Sequence, residues 1–482
     1  MNAPRPVIAV VPFGARAASR RAGARARQLA RRLVDRFARD LALELRPVFL
    51  MTMPDTKTDA SYLVFGSSPD AELAASYGAS LGASHALSGT FFDAADGRRL
   101  EVSLVDVARR AAIASRTFAV APGELQQVEP AVASWLVAQL GVISPAGLAP
   151  VAANETAYAA LLEGMDEEVN ETLLRQSDPD AANAALVRAL QRHVDALRAD
   201  AECIAAEERL LYLAAASLEH GNVDDHVRAL EELTTLRPQS WRAHYMLGQL
   251  RAEVGDSTGA IVAFEHAHAL RALPPADVIR LAKLYAKSGA PASALAHLRR
   301  VDQGAGELPA TARRLRFGIA HPELERDLER AGTIVASGDA MHLDEAEATF
   351  RRSVDAEPDL WEAHFGLGLV ARHRGDTATA ETALRRVLEI WPEQPDALHE
   401  LGVALLLANQ TDEAVRSLAL AASLRPGDAG YLADAGFALL RAGDLAAARE
   451  RLEHARELDA NDPITRSYLD ELDRVESSAG KT

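Results

Sequence analysis

A pattern of two amphipathic helices joined by a short turn returns every 34 residues along this chain. Five copies run 207–240, 241–274, 361–394, 395–428 and 429–462, with a looser sixth at 275–308. One helix pair of that length cannot bury its own apolar face, so the copies must stack to make a continuous core. The copy from Trp361 to Gln394 shows the parts. Leu367-Gly368 sits midway along the first helix, Gly375-Asp376 ends it and caps the next, Ala380 and Leu384 face back, and Pro392 marks the exit. Glycine accepts the left-handed conformation at a helix end, and an aspartate side chain takes the free N–H groups at the next helix start. The pattern returns as Leu401-Gly402, Ala414, Leu418 and Pro426, then as Gly436, Gly443-Asp444, Ala448 and Leu452. Upstream it reads Leu247-Gly248, Gly255-Asp256, Ala260 and Phe264, preceded by Gly221, Leu230 and Pro238. Two departures stand out: His226 occupies a position where a small residue is usual, and Asn409 replaces the turn glycine.

A 34-residue helix–turn–helix period with these residues resembles the tetratricopeptide repeat (TPR) family. The resemblance implies a mainly α chain: a TPR-type α-solenoid, coiled as a right-handed superhelix and preceded here by a small α+β domain. Solenoids of this kind hold other polypeptides on their concave side. Composition fits a helical globular chain, with 48% apolar, 5% aromatic and 25% charged residues. At 482 residues the chain is too long for one core, so at least two domains are expected. No run of about 18 uncharged apolar residues exists to span a membrane. The start lacks the pattern of a secretion signal, and Cys203 is the single cysteine, so the cytoplasm is the expected location.

Residues 1–141 read differently. Val7 to Val11 is a short buried strand, a helix is expected from Ser19 to Leu45, and strands from Val48 to Met53 and from Tyr62 to Phe65. A helix from Pro69 to Leu81 follows, then strands His85–Phe92, Arg98–Val107 and Ala112–Val120, the first two joined at Asp93 to Gly97 as a hairpin. Gly123 to Leu140 closes the domain as a helix. Ile8-Ala9-Val10-Val11-Pro12-Phe13, Leu81 to Gly89, and Gly97-Arg98-Arg99-Leu100-Glu101-Val102 with Leu104-Val105-Asp106 resemble the amino-terminal domain of TolB and its relatives fused to TPR arrays in bacterial regulators. The chain departs from them at Ala108-Arg109-Arg110-Ala111, where the relatives carry a Thr-Gly turn and a Trp-containing strand. The expected division is then an α+β domain at 1–141, a linker at 142–153 and an irregular capping unit at 154–206. Three repeats at 207–308, an irregular unit at 309–360, three repeats at 361–462 and a capping helix with tail at 463–482 complete it.

Charge is uneven. The net is -17, yet residues 1–50 hold eleven arginines against Asp35, Asp40 and Glu44, and nine of those arginines fall between Arg16 and Arg39. Three readings stand: a nucleic-acid or acidic-lipid patch, the wet face of a helix whose buried stripe is Leu29, Leu33, Phe37 and Leu41, or a surface that meets the acidic repeats of the same chain or of a second copy. No aromatic residues interleave the arginines to stack on single-stranded bases.

No catalytic constellation emerges, and neither a cofactor nor a metal is expected. His266-Ala267-His268 are two apart on a helix and diverge; His342-Leu343-Asp344 has no third ligand nearby. Cys203 lies among acidic neighbours and reads as a buried structural cysteine. Binding is expected on the inner face of the first helices. In the central units that face holds Arg242, Tyr245, Gln249, Lys283 and Lys287. In the C-terminal block it holds Phe365, Leu369, Arg372, His373, His399, Val403, Leu406, Phe437, Leu440 and Arg441. Apolar and cationic groups alternate in that block, which suits an amphipathic helix or an apolar peptide with acidic flanks. Trp241, Trp361 and Trp391 read as wedges between units. The expected function is a non-enzymatic adaptor or scaffold; the alternative is a sensory or regulatory protein whose N-terminal domain binds a small ligand or nucleic acid. Expected partners are one or more proteins, then a second copy of the chain.

Overall fold

The computed structural model describes residues 6–17, 20–38, 43–48, 69–94, 97–142, 149–220 and 223–479. The chain forms two compact units, residues 1–272 and 273–482, each taken by itself below.

The first unit opens with a mixed sheet. Strands β1 (Val7–Val10), β2 (Gly14–Ala17), β3 (Glu44–Pro47), β4 (His85–Ala94), β5 (Gly97–Asp106) and β6 (Ala111–Val120) lie in the order β3-β1-β4-β5-β6. Strand β2 continues along β4 beyond the end of β1. The first three strands pair in parallel, and β4, β5 and β6 form an antiparallel meander. Between β1 and β2, Phe13 folds over Gly89, where an added Cβ would stand 2.9 Å from a β5 carbonyl and 3.0 Å from the Phe13 ring. Period-two alternation divides β1 between two cores. Ile8 and Val10 join Leu29, Leu33 and Phe37 of α1 (Arg20–Arg36) and its C-terminal turn, whereas Ala9 and Val11 join Ala74 and Ala75 of α2 (Ala71–Ser80). Helix α3 (Val128–Leu140) adds Val132 and Leu136 to the first of these cores.

The helix expected from Ser19 to Leu45 ends earlier, at Arg36, and Glu44–Pro47 is strand β3, outermost among the described strands. The reason is tertiary: Leu45 is buried in the α1-side core as part of a strand pairing in parallel with β1, which outweighs its helical propensity. The strand expected at Tyr62–Phe65 and all but the first residue of Val48–Met53 lie outside the described residues, as do 143–148 of the expected linker.

Helix pairs then follow: α4 (Glu155–Leu174) with α5 (Pro179–Ala199), α6 (Ile204–His220) with α7 (Asp224–Leu236), and α8 (Trp241–Glu253) with α9 (Ser257–Leu270). The α1-side core does not stop at the sheet. It runs on through Tyr158, Leu161 and Leu162 of α4 and Leu190 and Leu197 of α5 to Leu210, Leu230 and Leu247. His226, the departure from the small-residue rule, is buried in α7. Cys203 is buried as well, and that burial pushes its thiol up, away from thiolate chemistry.

The second unit is all helix among the described residues. Its pairs are α10 (Pro275–Lys287) with α11 (Pro291–Leu298), then α12 (Glu307–Ala320), α13 (Pro322–Ser337) and α14 (Leu343–Ala356) in the irregular stretch. Three regular pairs follow: α15 (Trp361–His373) with α16 (Thr377–Ile390), α17 (Pro395–Leu407) with α18 (Thr411–Leu424), and α19 (Ala429–Ala442) with α20 (Leu445–Leu458). Helix α21 (Pro463–Ala479) is the last. The turns work as their residues require. Gly375 and Gly443 have φ of 76° and 84°, and Asp376 and Asp444 accept hydrogen bonds from the N–H of Thr379 and Ala447, each at 3.1 Å. Asn409 takes the same left-handed conformation at φ 60°, which asparagine tolerates better than most residues.

Candidate functional site

The first helices α4, α8, α15, α17 and α19 each carry a glycine where the second helix crosses closest. An added Cβ would come within 2.6 Å of His193 at Gly164, 2.9 Å of Phe264 at Gly248 and 2.9 Å of Leu384 at Gly368. At Gly402 and Gly436 it would come within 2.4 Å of Leu418 and 2.7 Å of Leu452. These five glycines put α4, α8, α15, α17 and α19 in one structural register. Residues six and three before the glycine, and one, four and five after it, share a face about a quarter-turn away. That is the face on which binding is expected from the sequence.

On the first pair this face is covered. Tyr158 and Leu161 of α4 are fully buried and Met165 is 4% exposed, because α1 lies against the helix. Polar contacts surround the apolar contact. Arg25 donates to Glu163 at 2.9 Å, Arg27 and Gln28 donate to Asp166 at 2.8 and 3.2 Å, and Arg36 donates to the fully buried Glu129 at 2.7 Å. Tyr158 donates its hydroxyl to the other oxygen of Glu129 at 2.7 Å, and Arg98 holds Glu155. Of the three readings of the arginine helix, contact with acidic helices that follow the domain accounts for Arg25 and Arg27, Arg36 pairs with Glu129 inside the α+β domain, and the 68% exposed Arg21 reaches Glu163 only at 3.9 Å. Behind this contact, the fully buried His193 donates Nε2–H to Glu168 at 2.6 Å, and Glu168 is also held by Arg209 of α6. With Glu168 already matched to a guanidinium, desolvation dominates and pushes the imidazole down to about 3.

Along α8, Arg242 is exposed, and Tyr245 and Gln249 are half-buried and joined by a 2.8 Å hydrogen bond. Lys283 and Lys287 stand exposed on α10. In the C-terminal pairs the same face is open. Phe365, Leu369, Val403, Leu406 and Phe437 are half-buried, Leu440 is 6% exposed, and His373 and Arg441 are exposed. Phe365 leans on Trp361 (6.1 Å between ring centres), which meets Trp391 edge-on at 5.4 Å, and Phe437 stacks on Tyr468 of α21 at 4.3 Å. The cations are less free than the sequence suggests. Arg372 is paired with Glu400 at 3.2 Å, and His399 is bonded to Asp434 at 2.8 Å while stacked on Tyr431 at 4.4 Å.

A row of carboxylates was missed by sequence reasoning: Glu362 and Asp396 six residues before the glycine, Glu400 and Asp434 two before it. The repeat register alone would have found them. Arg314 of α12 serves Glu362 at 3.3 Å and also Glu325 of α13; Asp396 receives Arg425 at 3.1 Å and the Tyr431 hydroxyl at 2.6 Å. Burial pushes the Glu362 carboxyl up to about 7, with Arg314 opposing it only in part, and burial raises Glu400 against the pull of Arg372. Among the described residues, no group of three or more His, Cys, Asp or Glu side chains is placed to hold a metal ion. No helix among them is long and apolar enough to cross a membrane.

Comparison with known proteins places the repeats in a family. Two tetratricopeptide repeat family models match, one over residues 212–277 and 338–395 and the other over 371–433. No curated protein matches the chain. Solved structures similar to it include YrrB, described as a TPR protein with an unusual peptide-binding site (16% identity, 50% of this chain and 97% of that one, TM-score 0.26). A tetratricopeptide repeat protein from Parabacteroides merdae is similar too (14% identity, 55% and 98%, TM-score 0.27), as is PilF of Pseudomonas aeruginosa (14%, 55% and 96%, TM-score 0.25). The helix pairs within residues 212–277 and 338–433 are tetratricopeptide repeats.

Proposed function

We propose that this protein is a non-enzymatic adaptor or assembly scaffold of the cytoplasm, holding a peptide or helix of a partner protein on the inner face of residues 361–462. One observation carries the reading. The first helices of three successive repeats present Phe365, Leu369, Val403, Leu406 and Phe437 half-exposed on one face, at positions that are buried on α4. Tetratricopeptide repeats act through such faces, and apolar anchors at helical spacing are what an amphipathic partner helix seats against. The α+β domain, with its likeness to the TolB amino-terminal domain, belongs in this reading to the bacterial TPR proteins. It is a structural partner of the first repeats rather than a catalyst.

The test compares intact protein with a Phe365→Ala, Leu369→Ala, Phe437→Ala variant as baits in lysate of the native cell, after circular dichroism has established equal helix content. A protein retained by the first and lost from the second is the expected outcome. Equal retention by both would remove the binding face from this part of the chain.

A further inference from the structure

Most cations on the helices of the second unit are spent on carboxylates of the unit itself; those of α10 are not. We infer that Arg280, Lys283 and Lys287 of this helix form a second docking surface, apart from the apolar face of residues 361–462, and that it takes a short run of Asp and Glu side chains from a partner protein. This surface does not depend on the apolar face and stands or falls by itself.

The first observation is the state of the three cations. Residues at i, i+3 and i+7 lie within about 60° of one another around a helix and span about 10 Å along it. All three side chains are exposed, and among the described residues none has a hydrogen-bond or ion-pair partner. Helix α12, which packs against α10, behaves differently. There Arg313 donates to the Asp302 carbonyl at 3.1 Å, Arg314 reaches Glu362 at 3.3 Å, and Arg316 reaches the Asp302 carboxylate at 3.2 Å. Those guanidiniums tie helices together, whereas the α10 cations tie nothing. Like charges three and four residues apart repel along a helix, so the stripe costs the fold rather than stabilising it. The helix dipole favours Lys287 in the last turn but not Arg280, two turns earlier.

The second observation is where the stripe sits in the charge of the chain. Residues 273–320 hold eight Lys and Arg against Asp277, Asp302 and Glu307, while residues 321–482 hold 17 against 32 Asp and Glu. The stripe is a basic island beside an acidic array, so an acidic partner meets attraction on α10 and repulsion over the rest of the unit. Lysine suits such a contact: its ammonium stays hydrated and free where a guanidinium forks onto a neighbouring carboxylate, and α10 carries two of the four lysines in the chain. About 10 Å is the reach of three or four extended residues, so a short acidic run covers all three cations. The aromatic ring of α10, Tyr285, is half-buried and stacked on His297 at 5.5 Å, so it is not free to stack on a nucleic-acid base.

The probes are a short peptide rich in Asp and Glu and its Asn and Gln counterpart, both acetylated and amidated so that only side chains carry charge. Their binding to the full-length protein is followed by fluorescence anisotropy. The acidic peptide is expected to bind at least about tenfold more tightly than the neutral one, and to weaken steeply between low and physiological salt. Arg280→Gln, Lys283→Gln and Lys287→Gln together should weaken it about tenfold. Arg299→Gln, Arg416→Gln and Arg451→Gln remove the same charge from exposed positions outside the first helices and should leave it unchanged. Phe365→Ala, Leu369→Ala and Phe437→Ala should leave it unchanged too. Equal weakening by the two cation triples would reduce the effect to net charge and overturn the site. Equal binding of the two peptides, or binding of neither, would overturn it as well. Weakening by the alanine triple would move the acidic contact to residues 361–462 and away from α10. A single-stranded oligonucleotide that binds more tightly than the acidic peptide, and is released by the α10 triple, would give the stripe to nucleic acid and overturn the choice of partner.

Discussion

The inner faces of the first helix pair and of the last three are built in one register and treated in opposite ways. On α4 the face is Tyr158, Leu161 and Met165, buried on a helix against which α1 packs with its arginines on Glu163 and Asp166; on α15, α17 and α19 it is Phe365, Leu369, Val403, Leu406 and Phe437, half-exposed, with Glu362, Asp396, Glu400 and Asp434 at other positions of the register. A repeat face is therefore not intrinsically a binding site. Whether it stabilises the fold or stays available is decided by what the rest of the chain lays on it. Where it is covered, the ion pairs are desolvated and fixed; where it is open, the same residue types remain partly hydrated.

The largest expected effect follows from the covered side. Glu129 is fully buried and receives both Arg36 and the Tyr158 hydroxyl. Removing it by Glu129→Ala strands a buried guanidinium and should cost the first unit about 3–5 kcal/mol, since breaking one side of a buried pair leaves an uncompensated charge. Asp434→Asn on the open side should cost about 1 kcal/mol, the scale of one hydrogen bond lost with solvent at hand. Urea unfolding followed by limited proteolysis, to assign each transition to its unit, measures both. Similar costs would break the comparison.

Next comes a matched pair of apolar truncations. Leu161→Ala should destabilise by about 2–5 kcal/mol because nothing can fill the space left beneath α1. Leu369→Ala removes a side chain already half in water and should cost about 1 kcal/mol. Chemical denaturation of each variant decides the ratio.

The two units should also respond to pH with opposite slopes. His193 is depressed to about 3 by burial, so the unfolded chain binds the extra proton first. The first unit then gains stability as pH rises toward 6.5 and holds it above that. Glu362 is raised to about 7, so here the folded chain binds the extra proton; the second unit is most stable below the ordinary glutamate range and loses stability as pH rises from about 4.5 to 7. Each pH unit of separation is worth about 1.4 kcal/mol. Glu362→Gln should flatten the second slope and leave the first untouched. Hydrogen exchange of the two units at pH 5 and 6.5 reads both signs.

The smallest effect sharpens the view that turns behave alike wherever a repeat sits. Asp376→Ala and Asp444→Ala each remove a side-chain N-cap and should cost about 1 kcal/mol by thermal unfolding.

Much of this was legible in the sequence. The 34-residue period, the Gly-Asp turns and the mid-helix glycines are local signals, so the repeats could be counted and placed before any coordinates. The three strands from His85 to Val120 were legible for the same reason, since alternation and a hairpin turn are short-range. Glu44–Pro47 was not, because its strand state depends on a parallel partner 37 residues earlier, and nothing in Leu43 or Leu45 distinguishes a strand from a helix end. The candidate site was half legible. Register puts Phe365, Leu369 and Phe437 on one half-buried face, yet Arg372 and His399 looked free because their acids, Glu400 and Asp434, lie on neighbouring helices. Pairing across helices is a property of the stack, invisible along one helix.

The most direct measurement is hydrogen–deuterium exchange of the full-length protein with and without the partner captured from the lysate. The account expects new protection along α15, α17 and α19 and none along α4, whose face α1 already covers. Protection that falls on α4, or is absent from 361–442, would contradict it.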